Sequence, residues 1–216
     1  MIDPSAVIER VTEIREEIAI HGGSNVSLIA VTKTFPIEAM QAAARAGCDG
    51  VGENYAQELA EKATAGLPSL PVHFIGGLQS NKVRLIAPFV DVWQSVDRES
   101  VIREIARRAP GAAILLQVNT TGEVSKGGIS PGAVESMCEI AVAAGLRLDG
   151  LMTIGPTGGS RTEQERAFQL LRQLVNENGL SVCSMGMSDD FHVAVACGST
   201  MVRIGSRLFG ARPTKN

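Results

Sequence analysis

The stretch SLIAVTKTFPIEAMQAAARAGCDGVGE, residues 27–53, holds the unit from which the rest of the chain is built. It opens on a short apolar, β-branched run at 27–33, which suits a strand. Pro36 then fits the start of a helix. A second apolar run follows at 49–53. Strand, helix and strand in this order predict a parallel pair joined by a crossover.

Outward from this unit the alternation repeats. Comparable runs lie at about residues 72–76, 90–96, 112–119, 147–154, 180–187 and 200–205, bounded by Gly, Pro, Asn or Asp. Segments with helical spacing separate them. Ile102, Ile105, Ala106 and Ala109 line one such face, and Phe168, Leu171, Leu174 and Val175 another. A further helix precedes the first strand. Asp3 can cap it, Pro4 suits its first turn, and Val7, Val11, Ile14 and Ile18 share one side. Eight units in 216 residues leave about 27 residues each, which fits a compact barrel. No GxGxxG follows the first strand, which argues against an open dinucleotide-binding sheet. The expected fold is α/β, a single (β/α)8 TIM barrel over residues 1–216. In such a barrel, functional groups sit at the C-terminal strand ends.

Composition narrows the function classes. Lys and Arg total 20 against 23 Asp and Glu, a net charge of −3. A mildly acidic chain suits nucleic acid poorly, because phosphate neutralisation needs a basic surface. Apolar stretches such as Ala112 to Leu116 are far shorter than the ~20 residues that span a bilayer. The start, Met-Ile-Asp-Pro, shows no secretory signal. Cys48, Cys138, Cys183 and Cys197 form no CxxC pair and read as small buried apolar residues. The expected compartment is the reducing cytoplasm. His21, His73 and His192 show no metal-ligand spacing, and no metal is expected.

Two cations stand out at strand ends. Lys33 closes the first apolar strand and shares a face with Ile29 and Val31, which should point into the barrel. Poor solvation there lowers a lysine pKa and frees a nucleophilic amine for a carbonyl. The same lysine could instead pack its stem and send its head to water. Arg203 holds the equivalent place in the last strand, before Gly205 and Ser206. After strand seven comes Ser188, which is an N-cap candidate or part of a phosphate cradle, since loops seven and eight often bind phosphate. An amine on strand one next to a cradle at strands seven and eight suits a phosphorylated aldehyde. Pyridoxal 5′-phosphate has that form, and so do open-chain sugar phosphates.

Ordered blocks of the chain resemble the pyridoxal phosphate homeostasis protein family. They include Ala30-Val31-Thr32-Lys33-Thr34, Gly52-Glu53-Asn54-Tyr55, His73-Phe74-Ile75-Gly76, Leu78-Gln79-Ser80-Asn81-Lys82 and Gly150-Leu151-Met152-Thr153. Ser184 to Phe191, Gly198 to Gly205 and Phe209-Gly210-Ala211-Arg212 complete the set. The resemblance implies a barrel like the N-terminal domain of alanine racemase, with Lys33 holding pyridoxal 5′-phosphate as a Schiff base. It implies phosphate contacts from Ser188, Gly205 and Ser206, and Arg203 facing the pyridine nitrogen. Asn54, His73, Met152 and Thr153 would lie near the cofactor. Lys126 falls in another matching block, beside the reading of a solvated loop lysine. Val72 and Gly77 depart from the usual pattern, which bears on loop shape and on His73.

An arginine opposite the ring nitrogen disfavours its protonation and weakens the ring as an electron sink. A racemase of this type also needs a second acid/base, in alanine racemase a Tyr from another domain. Tyr55 is the only Tyr here, and no such domain is expected after residue 212. The resemblance therefore implies a non-catalytic cofactor carrier in intracellular pyridoxal phosphate homeostasis, with no catalytic residue assigned. Its partners would be the cofactor and pyridoxal-phosphate-dependent apo-enzymes as recipients, and the chain would be a monomer. A small amino-acid racemase is the alternative, and a sugar-phosphate Schiff-base aldolase or an inert scaffold stand further off.

Overall fold

The structure is a computed structural model that describes residues 2–211. Its strands are β1 (Ser27–Val31), β2 (Gly50–Glu53), β3 (Val72–Phe74) and β4 (Val92–Val96). They continue with β5 (Ala113–Gln117), β6 (Arg147–Met152), β7 (Val182–Ser184) and β8 (Met201–Ile204). All eight pair in parallel and in chain order, and β8 returns to β1 to close the barrel. The closing register places Ser27 beside Met201 and Ile29 beside Arg203. The predicted (β/α)8 barrel is therefore the observed one.

Alternate residues of each strand face the barrel axis. A Cβ placed on Gly52 would lie 3.0 Å from Ile75 and 3.3 Å from Ile29. These inward groups form a thin inner core. The opposite strand faces pack under the helices in one large apolar cluster that includes Trp93, Phe74, Phe168 and Phe191. Each such buried side chain contributes about 1.5–3 kcal/mol before the cost of ordering it.

The helices are α1 (Pro4–Ile20), α2 (Ile37–Arg45), α3 (Ala56–Thr64), α4 (Ser80–Ile86) and α5 (Glu99–Arg108). After them come α6 (Val134–Ala143), α7 (Arg161–Glu177), α8 (Phe191–Ala196) and α9 (Ser206–Phe209). The last has only four residues, too short to cover a strand. α1 fills the place instead, packing against α2, α8 and α9. Its Val7, Val11, Ile14 and Ile18 are all buried, and Asp3 accepts the Ser5 N–H at 3.0 Å to cap it. The expected faces hold elsewhere with one change. In α5 the buried residues are Val101, Ile102 and Ile105, while Ala109 lies past the helix end. Among the described residues, no helix is long and apolar enough to cross a membrane.

Candidate functional site

A cavity of about 200 Å³ opens at the C-terminal mouth of the barrel. Its wall takes Val31 from the end of β1 and Lys33 from the turn after it, Asn54 just after β2 and Ile75 just after β3. Met152 ends β6 and Ile154 follows it, Met187, Ser188 and Asp189 come from the loop after β7, and Arg203 comes from β8, with Gly205 just after it and Ser206 at the start of α9. Seven of the predicted site residues thus meet on one wall: Lys33, Asn54, Met152, Ser188, Arg203, Gly205 and Ser206. The expectation that Arg212 closes the pattern falls outside the described residues.

Lys33 differs from expectation in one detail. β1 ends at Val31, and Lys33 lies two residues on, in a turn. The inward parity nevertheless persists, since Val31 and Lys33 both line the cavity. The side chain is half-buried.

Arg203 is almost wholly enclosed, at 4% exposure. A buried guanidinium is tolerable only if its donors find acceptors. One of its nitrogens donates to Ser184 Oγ at 2.6 Å and another to the Thr153 carbonyl at 2.7 Å. Burial draws its pKa down to about 10, against the opposing pull of the Asp190 carboxylate. Arg203 therefore stays a cation near neutral pH. Asp190 is itself buried, which raises its pKa, while Met187 N–H donates to its Oδ1 at 2.6 Å.

The network runs deeper. Ser184 Oγ donates to Gln94 Oε1 at 2.7 Å, and Gln94 Nε2 donates to His73 Nδ1 at 2.7 Å. This polarity leaves the His73 proton on Nε2. Burial lowers the His73 pKa to about 4 and keeps the ring neutral. His73 is not among the residues of the cavity wall. It sits beneath, over Gly50, where a Cβ would come within 2.9 Å of its ring. Thr153 is also behind the wall. Its hydroxyl donates to the Val118 carbonyl at 2.8 Å and meets Thr120 Oγ1 at 2.9 Å.

Ser188 is not an N-cap. The capping position of α8 belongs to Asp190, and Ser188 Oγ accepts the Gly205 N–H at 3.3 Å. That bond ties the loop after β7 to the loop after β8. A Cβ on Gly205 would crowd Val31 at 3.3 Å. Lys126 is not a solvated lysine either. Its Nζ pairs with Glu123 at 2.7 Å and donates to the Gly155 carbonyl, which joins the loop after β5 to the loop after β6. Tyr55 is exposed and lies off the cavity wall.

Residues 2–213 match the family described as alanine racemase, N-terminal domain. The pyridoxal phosphate homeostasis protein of Pseudomonas aeruginosa is 42% identical over 198 residues, 88% of this chain and 86% of that protein. The chain belongs to the pyridoxal phosphate homeostasis protein family. Among solved structures, PipY of Synechococcus elongatus with PLP bound aligns with a TM-score of 0.80 at 31% identity, covering 94% of this chain and all of that one. Alanine racemase of Clostridium difficile aligns with a TM-score of 0.75 at 15% identity, covering 96% of this chain and 58% of that one, a likeness of fold.

In this member of the pyridoxal phosphate homeostasis family, the site leaves one polar atom unanswered. Asn54 Oδ1 is buried on the cavity wall with no hydrogen-bond partner within the protein. An amine, a buried cation, hydroxyls on two loops and an unmet acceptor suit a small ligand with a carbonyl, an anionic end and a polar ring. Sequence reasoning missed Gln94 as a member of the site's support. The signal was present: a polar residue between Trp93 and Ser95 with inward parity in a buried strand.

Proposed function

We propose that this chain holds pyridoxal 5′-phosphate on Lys33 and works as a carrier in intracellular pyridoxal phosphate homeostasis, without a dedicated catalytic turnover. The carrying observation is the pairing of the Lys33 amine with the buried Arg203 guanidinium on one cavity wall. When bound, the cofactor supplies an aldehyde for Schiff-base attachment to a primary amine. Ser188, Gly205 and Ser206 would receive its phosphate on the loops after β7 and β8. Arg203 would face its ring nitrogen, Asn54 and Met152 would contact it from the sides, and Thr153 and His73 would act through Arg203. The residues fit the group, because Lys33, Ser188, Arg203, Gly205 and Ser206 line one cavity whose wall also holds Asn54 Oδ1, a buried acceptor with no partner within the protein.

Arg203 offers donors and no acceptor. It therefore holds a proton away from any ring nitrogen that faces it and favours simple exchange over carbanion chemistry. Tyr55 stands off the wall, which supports carriage over racemisation. The recipients would be apo-enzymes that require the cofactor, and the chain would act as a cytoplasmic monomer, one barrel domain.

Borohydride reduction of protein mixed with pyridoxal phosphate, followed by peptide mass analysis, is the test. A pyridoxyl group on Lys33 is the expected result, with weaker cofactor retention in Arg203→Ala. A pyridoxyl group found chiefly on Lys126 or Lys82 would overturn the assignment. Alanine in deuterated solvent should show no α-hydrogen exchange above that caused by free cofactor.

A further inference from the structure

The turn that carries Lys33 is held from its far side by charges. Thr32 Oγ1 donates to Glu53 Oε1 at 2.6 Å. Lys62 Nζ, from α3, donates to the same carboxylate oxygen at 2.6 Å and to the Thr32 carbonyl at 2.9 Å. Glu58, one helical turn earlier, pairs with Lys62 at 2.7 Å. The Thr34 N–H donates to that Glu58 carboxylate at 2.6 Å. The residues before and after Lys33 are therefore each bonded to a charged side chain of the β2–α3 unit. Thr32, Glu53 and Lys62 are all buried.

Thr34 has φ of +68°, the only positive φ outside glycine among the described residues. A β-branched residue avoids this conformation and keeps it only where its surroundings impose it. The charged bond from Glu58 falls on the amide of this residue. A buried ion cluster is by itself a weak source of stability, since desolvation offsets attraction. This one is spent on the geometry of a single turn.

We propose that Glu53, Glu58 and Lys62 are positioning residues, a buried ionic clamp that aims the Lys33 amine into the cavity. The clamp rests on the reading of Lys33 as the amine that takes the cofactor. It touches the backbone on both sides of Lys33 and acts through that backbone.

The test uses cofactor-free protein. Amide exchange over residues 32–35 reports the turn, and competitive acetylation of Lys33 against exposed Lys82 reports the amine. In Glu58→Ala, Thr34 amide exchange should rise by about fivefold or more, because a charged hydrogen bond is lost. The Lys33 to Lys82 labelling ratio should shift by roughly threefold or more, and pyridoxal phosphate retention should fall with it. Glu58→Gln keeps an acceptor oxygen but loses the charge that pairs with Lys62, so its exchange and labelling should fall between those of the parent and of Glu58→Ala. Lys62→Met should reproduce the Glu58→Ala pattern, and if it fails to fold the Glu58 pair still decides. Parental exchange and labelling in a folded Glu58→Ala would overturn the clamp. A protein whose labelling responds as expected, yet carries no pyridoxyl group on Lys33 after borohydride, overturns the cofactor reading and leaves the clamp standing.

Discussion

Arg203 shows what a single buried charge demands of its neighbours. Ser184 and the Thr153 carbonyl accept its protons, and Gln94 and His73 complete the chain behind Ser184. His73 is the titratable end of that chain. Its pKa falls from 6.5 to about 4 through burial. The unfolded chain therefore takes the proton first as pH drops. The stability that neutral His73 contributes is complete above 6.5 and is lost as pH falls through about 4. The loss is on the order of 3 kcal/mol. Glu53 and Asp190, whose pKa values burial raises, act with the opposite sign. Urea denaturation of the parent and of His73→Gln across this range should show a shallower acid slope in the variant; equal slopes would refute the assignment. Lys33 and Arg203 were legible in the sequence because a cation at inward parity in an apolar strand is conspicuous. The placement of His73 was not, because its partner Gln94 is 21 residues away.

At the scale of elements, α1 is the informative case. It precedes every strand and yet closes the helical ring, because α9 is too short to do so. Ile14 is 1% exposed within that seam, so Ile14→Ala should cost about 2–5 kcal/mol by chemical denaturation. A cost near that of a surface change would mean that α1 is only loosely attached. α7 begins with a capping box in which Ser160 and Glu163 exchange hydrogen bonds. Helix spacing made α1 and α7 readable. The start of α8 was not readable. Ser188, Asp189 and Asp190 are all good caps by residue type, and local chemistry cannot choose among them. In the fold Ser188 Oγ accepts the Gly205 N–H just after β8, while Asp190 holds the capping position and accepts the Met187 N–H.

At the scale of the whole molecule, the cavity is stitched from the ends of β1, β2, β3, β6, β7 and β8, so filling it couples to the entire fold. Pyridoxal phosphate at 100 times its dissociation constant should stabilise the protein by about 2.7 kcal/mol. A thermal scan should show a higher Tm with the cofactor and no comparable rise in Lys33→Ala. An equal rise in both would place binding elsewhere. The amino-acid sequence alone determined the eightfold alternation of strand and helix and the cations at the ends of its first and last strands. Those features follow from local periodicity and from the chemistry of single residues, which any window of the chain displays. Only the tertiary structure decided which polar groups meet: Arg203 with Ser184, Gln94 with His73, and Lys62 with the carbonyl before Lys33. Those pairings depend on strand register and on the return of β8 to β1, and no local stretch of residues contains that information.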